Sequence, residues 1–396
     1  MKKRMLFLTH EVPYPAVSGG TIKTWKLLEY FASRYILTLV CLNKGTNKDT
    51  EQEMVEKLQP HDYLSINHQR SRNLFALAGS YLTGSPMAVY RNHNNRLMVK
   101  TRALCKNTDL IFVDHYEMFQ YVAKDCAAPV VLHEHNAEFL LWQRYAEKQS
   151  NPLKSWVLQR ESRRVIGVEK TYAQRADMIL AAPNDTDSLT TQGVPHDKFR
   201  PTYHLGDDTL LEQPPVVFHN NEKVVLYIGS LWWEPNIDGL CWFIENIWPQ
   251  IVSKDPEVTL WVIGKTKDQR LKEVVAGKKG VVIKGFVDDL TPVYAAARLA
   301  IVPLRFGSGM KVKVLNFLYR GLPVVTTTIG TEGIELQNNK DVIIPEGDED
   351  WSRQILKLVN DPELCSRIGQ AGRELAERKY TWKKHLHDLQ SFLGQL

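Results

Sequence analysis

The chain has 396 residues, 43% hydrophobic and 24% charged, with 50 Lys and Arg against 45 Asp and Glu. That length suits two cores of roughly 200 residues each, and that balance excludes a disordered chain. The net charge of +5 is too mild to demand nucleic acid, and five scattered cysteines with no CxxC pair exclude a disulfide framework and predict a reducing compartment.

The N-terminus, MKKRMLFLTHEVPYP, has a short apolar run broken by His10 and Glu11, so it reads as a first strand and not a signal peptide. No run approaches the ~20 apolar residues that span a bilayer. The predicted location is cytoplasmic. Beyond this point short β-branched runs alternate with amphipathic stretches, which predicts an α/β chain with doubly wound parallel sheets. Strand candidates in the first half are MLFLTH, YILTLVCL, DLIFVDH, PVVLHEH and DMILAAP. Between them, IKTWKLLEYFA places Ile22, Trp25, Leu28 and Phe31 on one helical stripe.

Residues 63–108 contain no Asp or Glu but seven bases: Arg70, Arg72, Arg91, Arg96, Lys100, Arg102 and Lys106. Leu74, Phe75, Leu77 and Tyr81 are interleaved with them. Such a segment suits an anionic membrane surface or a lipid-linked acceptor, and it equally describes a pair of solvated basic helices. Farther on, GDDTLLEQPPVVFHNNE reads as a linker, since Pro-rich polar sequence continues neither sheet. A second strand series follows: KVVLYIG, VTLWVIG, GVVIKGF, LAIVPL, PVVTTT and DVIIP. The expected organisation is a first domain over 1–205, a linker over 206–222, a second domain over 223–375 and a terminal helical segment over 376–396.

Ligands of doubly wound sheets sit outside the carboxyl ends of the strands, so candidate residues are sought there. In PLRFGSGMKVKVLNFLYRG a strand runs into a glycine turn and then a helix, with Arg305, Lys311 and Lys313 alongside. Glycines let backbone approach a ligand, and a helix start presents N–H groups to an anion. The segment is neither a GxxxxGK[ST] loop nor a GxGxxG fingerprint, and it equally describes an ordinary turn with solvated lysines. On a helix Lys311 and Lys313 lie ~200° apart, so both reach one phosphate only if Lys311 precedes the first turn. Lys313 is the first choice. Gly19 and Gly20 stand before another helix, and His115 follows DLIFVD. His133, Glu134, His135, Asn136 and Glu138 crowd the end of PVVLHEHNAEF without H-E-x-x-H metal spacing, and His133 and His135 are expected to face opposite ways. Asp207-Asp208 and Asp288-Asp289 read as solvated turn acids, so no metal is expected.

With RGLPVVTTTIGTEGI behind it, the PLRFGSGMKVKVLNFLY segment resembles the GT-B glycosyltransferases that use nucleotide sugars, and within them the retaining family 4 branch with its GSGxxxKxLEA…GxPVVxT…GxEG signature. YIGSLWWEPNIDGLCWF, LWVIGK, GFVDDLTPVYAAARLAIVPL, HEHNAE and the Ser18-Gly19-Gly20 loop match in order. The resemblance implies two Rossmann-like domains facing a central cleft, acceptor on the first and donor on the second, with the last helix returning to the first domain. It implies transfer of a sugar from a nucleoside diphosphate to a hydroxyl acceptor, glycan or lipid-linked, without metal or other cofactor.

By the same resemblance, His115, Lys313, Lys311 and Arg305 serve the chemistry, with His115 beside the transferring sugar. Gly19, Gly20, Gly229, Asn236, Phe286, Val287, Gly307, Ser308, Gly309, Met310, Val312, Asn316 and Glu332 hold the donor, Phe286 and Val287 through backbone contacts to the base. Glu11, Tyr14, His135, Asn136 and Glu138 meet the acceptor. One departure stands out: Asn316 occupies the place of the family's ribose-binding Glu, which removes a charge from that contact. A sugar-nucleotide epimerase and a catalytically silent donor-binding protein share these features. A nicotinamide dehydrogenase is disfavoured by the missing GxGxxG and ribose acid.

Overall fold

The computed structural model describes residues 2–17, 19–71, 73–219, 221–265, 268–307 and 309–396. It divides into two compact units, one of Met1–His204 with Leu386–Leu396 and one of Leu205–His385. The expected sites at Ser18 and Ser308 lie outside the described residues.

The first unit is built on β1 (Arg4–Thr9), β2 (Ile36–Asn43), β3 (Asp62–Asn67), β4 (Leu110–Asp114), β5 (Val130–His133), β6 (Met178–Ala181) and β7 (Phe199–Pro201). They form one parallel sheet in the order β3-β2-β1-β4-β5-β6-β7. Successive residues of a strand face opposite sides. Leu6, Leu8, Ile111, Val113 and Leu132 therefore belong to one buried layer, and Met5, Phe7, Leu110, Phe112 and Val131 to the other. Helices cover both faces, which is why the central strands are apolar without alternation. Leu389 and Leu393 of the helix Trp382–Leu393 complete the second layer.

Two strands are additions to the sequence reading. DYLSIN (β3) and FRP (β7) are the sheet's edges, and an edge strand packs on fewer neighbours, so β3 is only half-buried and its apolar signal is weak.

The second unit has β8 (Val224–Ile228), β9 (Thr259–Ile263), β10 (Val281–Gly285), β11 (Ala297–Val302) and β12 (Val324–Thr326) in the order β10-β9-β8-β11-β12. Counted within each unit, the first sheet runs 3-2-1-4-5-6-7 and the second 3-2-1-4-5, and in both the strand order reverses beside the first strand. DVIIP, expected as a sixth strand, instead makes isolated bridges: Ile343 pairs with Val325 and Val342 with Asn338. The segment 206–222, expected to be a free linker, is part of this unit. Val216 N–H donates to Arg320 O at 2.9 Å, and the Arg373 guanidinium donates to Leu211 O and Gln213 O at 2.6 and 2.9 Å. The position 375/376, expected as a domain edge, lies inside the helix Pro362–Lys379, while the unit boundary falls after His385.

Candidate functional site

In a 3-2-1-4-5 sheet the crevice lies beyond the carboxyl ends of strands 1 and 4, where the connections diverge to opposite faces. In the first unit these are β1 and β4, which end at Thr9 and Asp114. Asp114 is wholly buried and takes four hydrogen bonds. Thr24 Oγ1 and Thr9 Oγ1 donate to Oδ2 at 2.7 and 3.1 Å, and His133 Nδ1 and His135 Nε2 both donate to Oδ1 at 2.7 Å. A carboxylate only accepts, so the proton sits on Nδ1 of His133 and on Nε2 of His135.

Burial drives the His133 and His135 imidazoles down to about 3 and about 4, so both are neutral at physiological pH. Burial alone would raise Asp114, but the surrounding donors outweigh it and hold the carboxyl well below its ordinary range. The expectation that His133 and His135 face apart is overturned: residues two apart share a face, and both rings meet one oxygen.

His115 follows Asp114 with φ 75°, a left-handed backbone that costs a non-glycine residue about 1–3 kcal/mol. Its ring stacks on His135 at 3.6 Å and meets the edge of His10 at 4.1 Å. Burial, then His135, depresses its imidazole well below the ordinary value. A neutral ring in this position can share a hydrogen bond but carries no charge. It opens on a cavity of about 200 Å³ whose lining includes His10, Glu11, Gly20 and Thr24. Gly20 lies in the first turn of the helix Gly19–Arg34, so that helix start faces the same space.

Glu11 is half-exposed and its carboxyl is raised by burial. Tyr14 is engaged elsewhere, donating to Glu53 at 2.6 Å and accepting from Lys57 at 2.5 Å. Asn136 and Glu138 are half-buried, and the Glu138 N–H donates to Glu169 at 2.8 Å. Sequence reasoning missed Asp114, Thr9, Thr24, His10 and Lys23. Lys23 is fully buried without a hydrogen-bond partner, and burial lowers its ammonium to about 7. A polar residue at the end of an apolar run was the only signal for Asp114.

Among the described residues two trios could bring three ligand atoms around one ion, His10 with His115 and Glu117, and Asp114 with His115 and His135. The Asp114 oxygens already hold four donors, so the second trio has little capacity left for a cation.

In the second unit the equivalent crevice lies beyond β8 and β11. The helix Val312–Tyr319 begins one residue after Lys311, which is its extended N-cap. Lys311 thus precedes the first turn, the condition under which it and Lys313 share a site. The Lys313 ammonium donates to Asn236 Oδ1 at 2.8 Å, and lies 3.4 Å from Tyr227 Oη and 4.7 Å from that ring's centre. Asn236 is oriented by donating through Nδ2 to Ser230 O at 2.9 Å. A side chain on Gly229 would stand 2.7 Å from Lys313 Nζ and 2.9 Å from Tyr227 Oη, so a larger residue there would displace the ammonium from its present position. Burial, then the charge of Lys311, pushes Lys313 down to about 7.

The other expected cations are already matched. Arg305 donates twice to Asp238, at 2.8 and 2.6 Å, and Asp238 was not anticipated. Lys311 Nζ contacts Gly309 O and lies 3.4 Å from Glu332 Oε2. Among the described residues no carboxylate lies within ion-pair distance of Lys313. Gly307 and Gly309 both have positive φ in the turn before the helix, while Met310 is buried and Val312 half-buried. Phe286 is exposed with Lys265 Nζ 4.3 Å from its ring centre, and Val287 follows it at the end of β10. Asn316 Oδ1 accepts from Asp207 N–H at 2.9 Å. Its oxygen therefore holds the backbone that leads into the short helix Asp208–Glu212.

Residues 222–361 match the family described as glycosyl transferases group 1. The match lies wholly within the second unit. Whole-chain neighbours carry the same GT-B fold. Anabaena HepE, solved with UDP and glucose, superposes with a TM-score of 0.69 at 14% identity over 100% of both chains. TarM of S. aureus reaches 0.70 at 13% identity over 99% of this chain and 98% of its own. An uncharacterized 44.6 kDa protein of the Klebsiella pneumoniae cps region is 20% identical over 391 residues, covering 96% of this chain and 97% of that one. The putative glycosyltransferase EpsD of Bacillus subtilis is 24% identical over 249 residues, 57% of this chain and 61% of its own.

Proposed function

We propose that this protein is a group 1 glycosyltransferase that moves a sugar from a nucleoside diphosphate to a glycan or lipid-linked hydroxyl, with retention, in bacterial polysaccharide assembly. The observation that carries the reading is Lys313: a half-buried ammonium beside the end of β8, next to Gly229 and, among the described residues, without a carboxylate to neutralise it. A diphosphate supplies the missing counter-charge and restores the lysine's proton. Lys313 and Lys311, with the N–H groups of residues 309–312, stabilise the charge that develops on the diphosphate as the C1–O bond breaks. The acceptor oxygen forms the new C1–O bond on the same face, and its proton passes to the departing phosphate. No carboxylate pair at glycosidase spacing is needed, nor a metal.

HepE with UDP and glucose, and TarM with UDP and a glycan, support a nucleotide-sugar donor and a glycan acceptor. His115, with His135, Asn136, Glu138 and Glu11 around it, is assigned to the sugar and acceptor. Arg305 and Tyr14 are assigned supporting roles because their polar atoms are engaged by protein partners. No helix among the described residues is long and apolar enough to cross a membrane. The acid-free 63–108 segment is assigned to peripheral contact with the cytoplasmic face of a membrane, where a lipid-linked acceptor would be met.

The test is a thermal-shift panel of nucleoside diphosphates and their sugars, in which stabilisation grows as RT ln(1 + [L]/Kd). One selective diphosphate nucleoside should raise the melting temperature, with EDTA making no difference. Transfer assays with and without acceptor then separate glycosyl transfer from epimerisation. A flat panel removes the donor site, and interconversion of donors without acceptor replaces transfer by epimerisation.

A further inference from the structure

The helix Leu74–Leu82 is inside out. At about 100° per residue, positions 74, 75, 78 and 82 fall within one arc of roughly 100°. That arc carries Leu74, Phe75, Ala78 and Leu82, and it faces outward: Leu74 is 80% exposed, Phe75 87% and Leu82 89%. The small residues Ala76, Gly79 and Ser80 face inward. Gly79 is fixed there by packing, since a methyl group at its position would lie 2.2 Å from Tyr90 Oη. A helix in an ordinary water-soluble surface turns its large apolar residues the other way.

The orientation is held firmly. Asn73 caps the helix by accepting from Ala76 N–H at 2.9 Å, and Arg164 donates to Ser80 O at 2.5 Å while lying 4.3 Å above the Tyr81 ring. Arg164 belongs to the helix Pro152–Arg175, whose first turns add exposed Leu153 and a Trp156 that is 55% exposed. The Arg160 guanidinium lies within 6 Å of both the Tyr81 and Trp156 rings, at 5.8 and 5.7 Å, so the two helices present one surface. Its surroundings are basic: like 63–108, residues 148–160 contain no Asp or Glu, but carry Lys148, Lys154 and Arg160.

We propose that this two-helix face enters the interfacial layer of an anionic bilayer, with Leu74, Phe75, Leu82, Leu153 and Trp156 among the upper acyl chains and the flanking Arg and Lys at lipid phosphates. The proposal rests on the membrane reading of the basic 63–108 segment and adds an apolar component that salt does not screen. Charge complementarity selects the occupant. A second copy of this chain would bring the same positive surface against itself, whereas an anionic bilayer matches both the charge and the aromatic-aliphatic face.

The experiment is flotation of the full chain with vesicles of phosphatidylglycerol and phosphatidylcholine, or of phosphatidylcholine alone, at low and high salt. Wild type should float with the anionic vesicles and retain a salt-resistant fraction. Phe75→Ser with Leu82→Ser should reduce partitioning by about tenfold or more while melting temperature and nucleotide-induced thermal shift stay unchanged. Arg96→Glu with Lys100→Glu should lower binding at low salt only. Binding that is wholly salt-sensitive and indifferent to Phe75→Ser overturns insertion and leaves the basic-segment reading standing. No flotation of wild type overturns both. A dimer in sedimentation that Phe75→Ser dissolves assigns the face to self-association and overturns the bilayer.

Discussion

At the end of β4 in the first unit, Asp114 gathers two threonine hydroxyls and two imidazoles and leaves no acceptor idle. At the end of β8 in the second unit, Lys313 meets an amide oxygen and a phenol hydroxyl and, among the described residues, lacks a countercharge. Both places sit at the switch point of a sheet whose order begins 3-2-1-4-5. The first is closed electrostatically, its charge satisfied from within and its histidines neutral. The second is open, and only an anion from outside completes it. Equal topology thus supplies a position, and the side chains decide whether its central charge is matched from within or from outside.

Substitutions should separate the two. Asp114→Ala leaves four donors without their acceptor, and it should cost about 3–5 kcal/mol of stability, read as a lowered calorimetric transition. An unchanged transition would show that the first cluster is no hub. Lys313→Ala should leave that transition nearly in place but lower turnover at saturating donor by about ten- to a thousandfold. Full turnover would remove Lys313 from the chemistry and the contrast with it.

The pH responses should run in opposite directions. His133 and His135 titrate at about 3 and about 4 in the fold, below their unfolded value. The unfolded chain therefore binds more protons as pH falls below 6.5, and stability should decline through that window by up to ~1.4 kcal/mol per unit per group. Lys313, at about 7, must regain a proton to meet a diphosphate. Affinity should therefore fall as pH rises above 7, by up to about tenfold per unit, with proton uptake visible when calorimetry is repeated in buffers of different ionisation enthalpy. Affinity independent of pH from 7 to 9 would mean that Lys313 is already charged. The smallest effect belongs to Arg305→Gln. Its partly exposed pair with Asp238 should contribute about 1 kcal/mol or less to stability, and turnover should change far less than in Lys313→Ala.

Central strands were legible because burial on both faces leaves long β-branched runs; the edges β3 and β7 were not, because half their neighbours are missing. Lys313 was legible because glycines and a helix start frame it in one continuous stretch. Asp114 was not, because its partners come from positions 9, 24, 133 and 135, and no local pattern announces their meeting. Arg305 looked like a free cation for the same reason: Asp238, 67 positions earlier, becomes its partner only through folding. Asn316 reads in the sequence as a departure at a ligand contact, and only the fold shows that its oxygen also accepts from a backbone N–H more than a hundred positions away in the chain.

By itself the sequence determined the alternation of strands and helices, the two-core organisation and the glycine-lysine turn, since each depends on periodicity or on residues close in the chain. Tertiary structure alone decided which charges are matched, which histidines are neutral and which face of the Leu74–Leu82 helix is outward. Those properties depend on distance and burial, and both are set by side chains that meet across the sheet rather than along it.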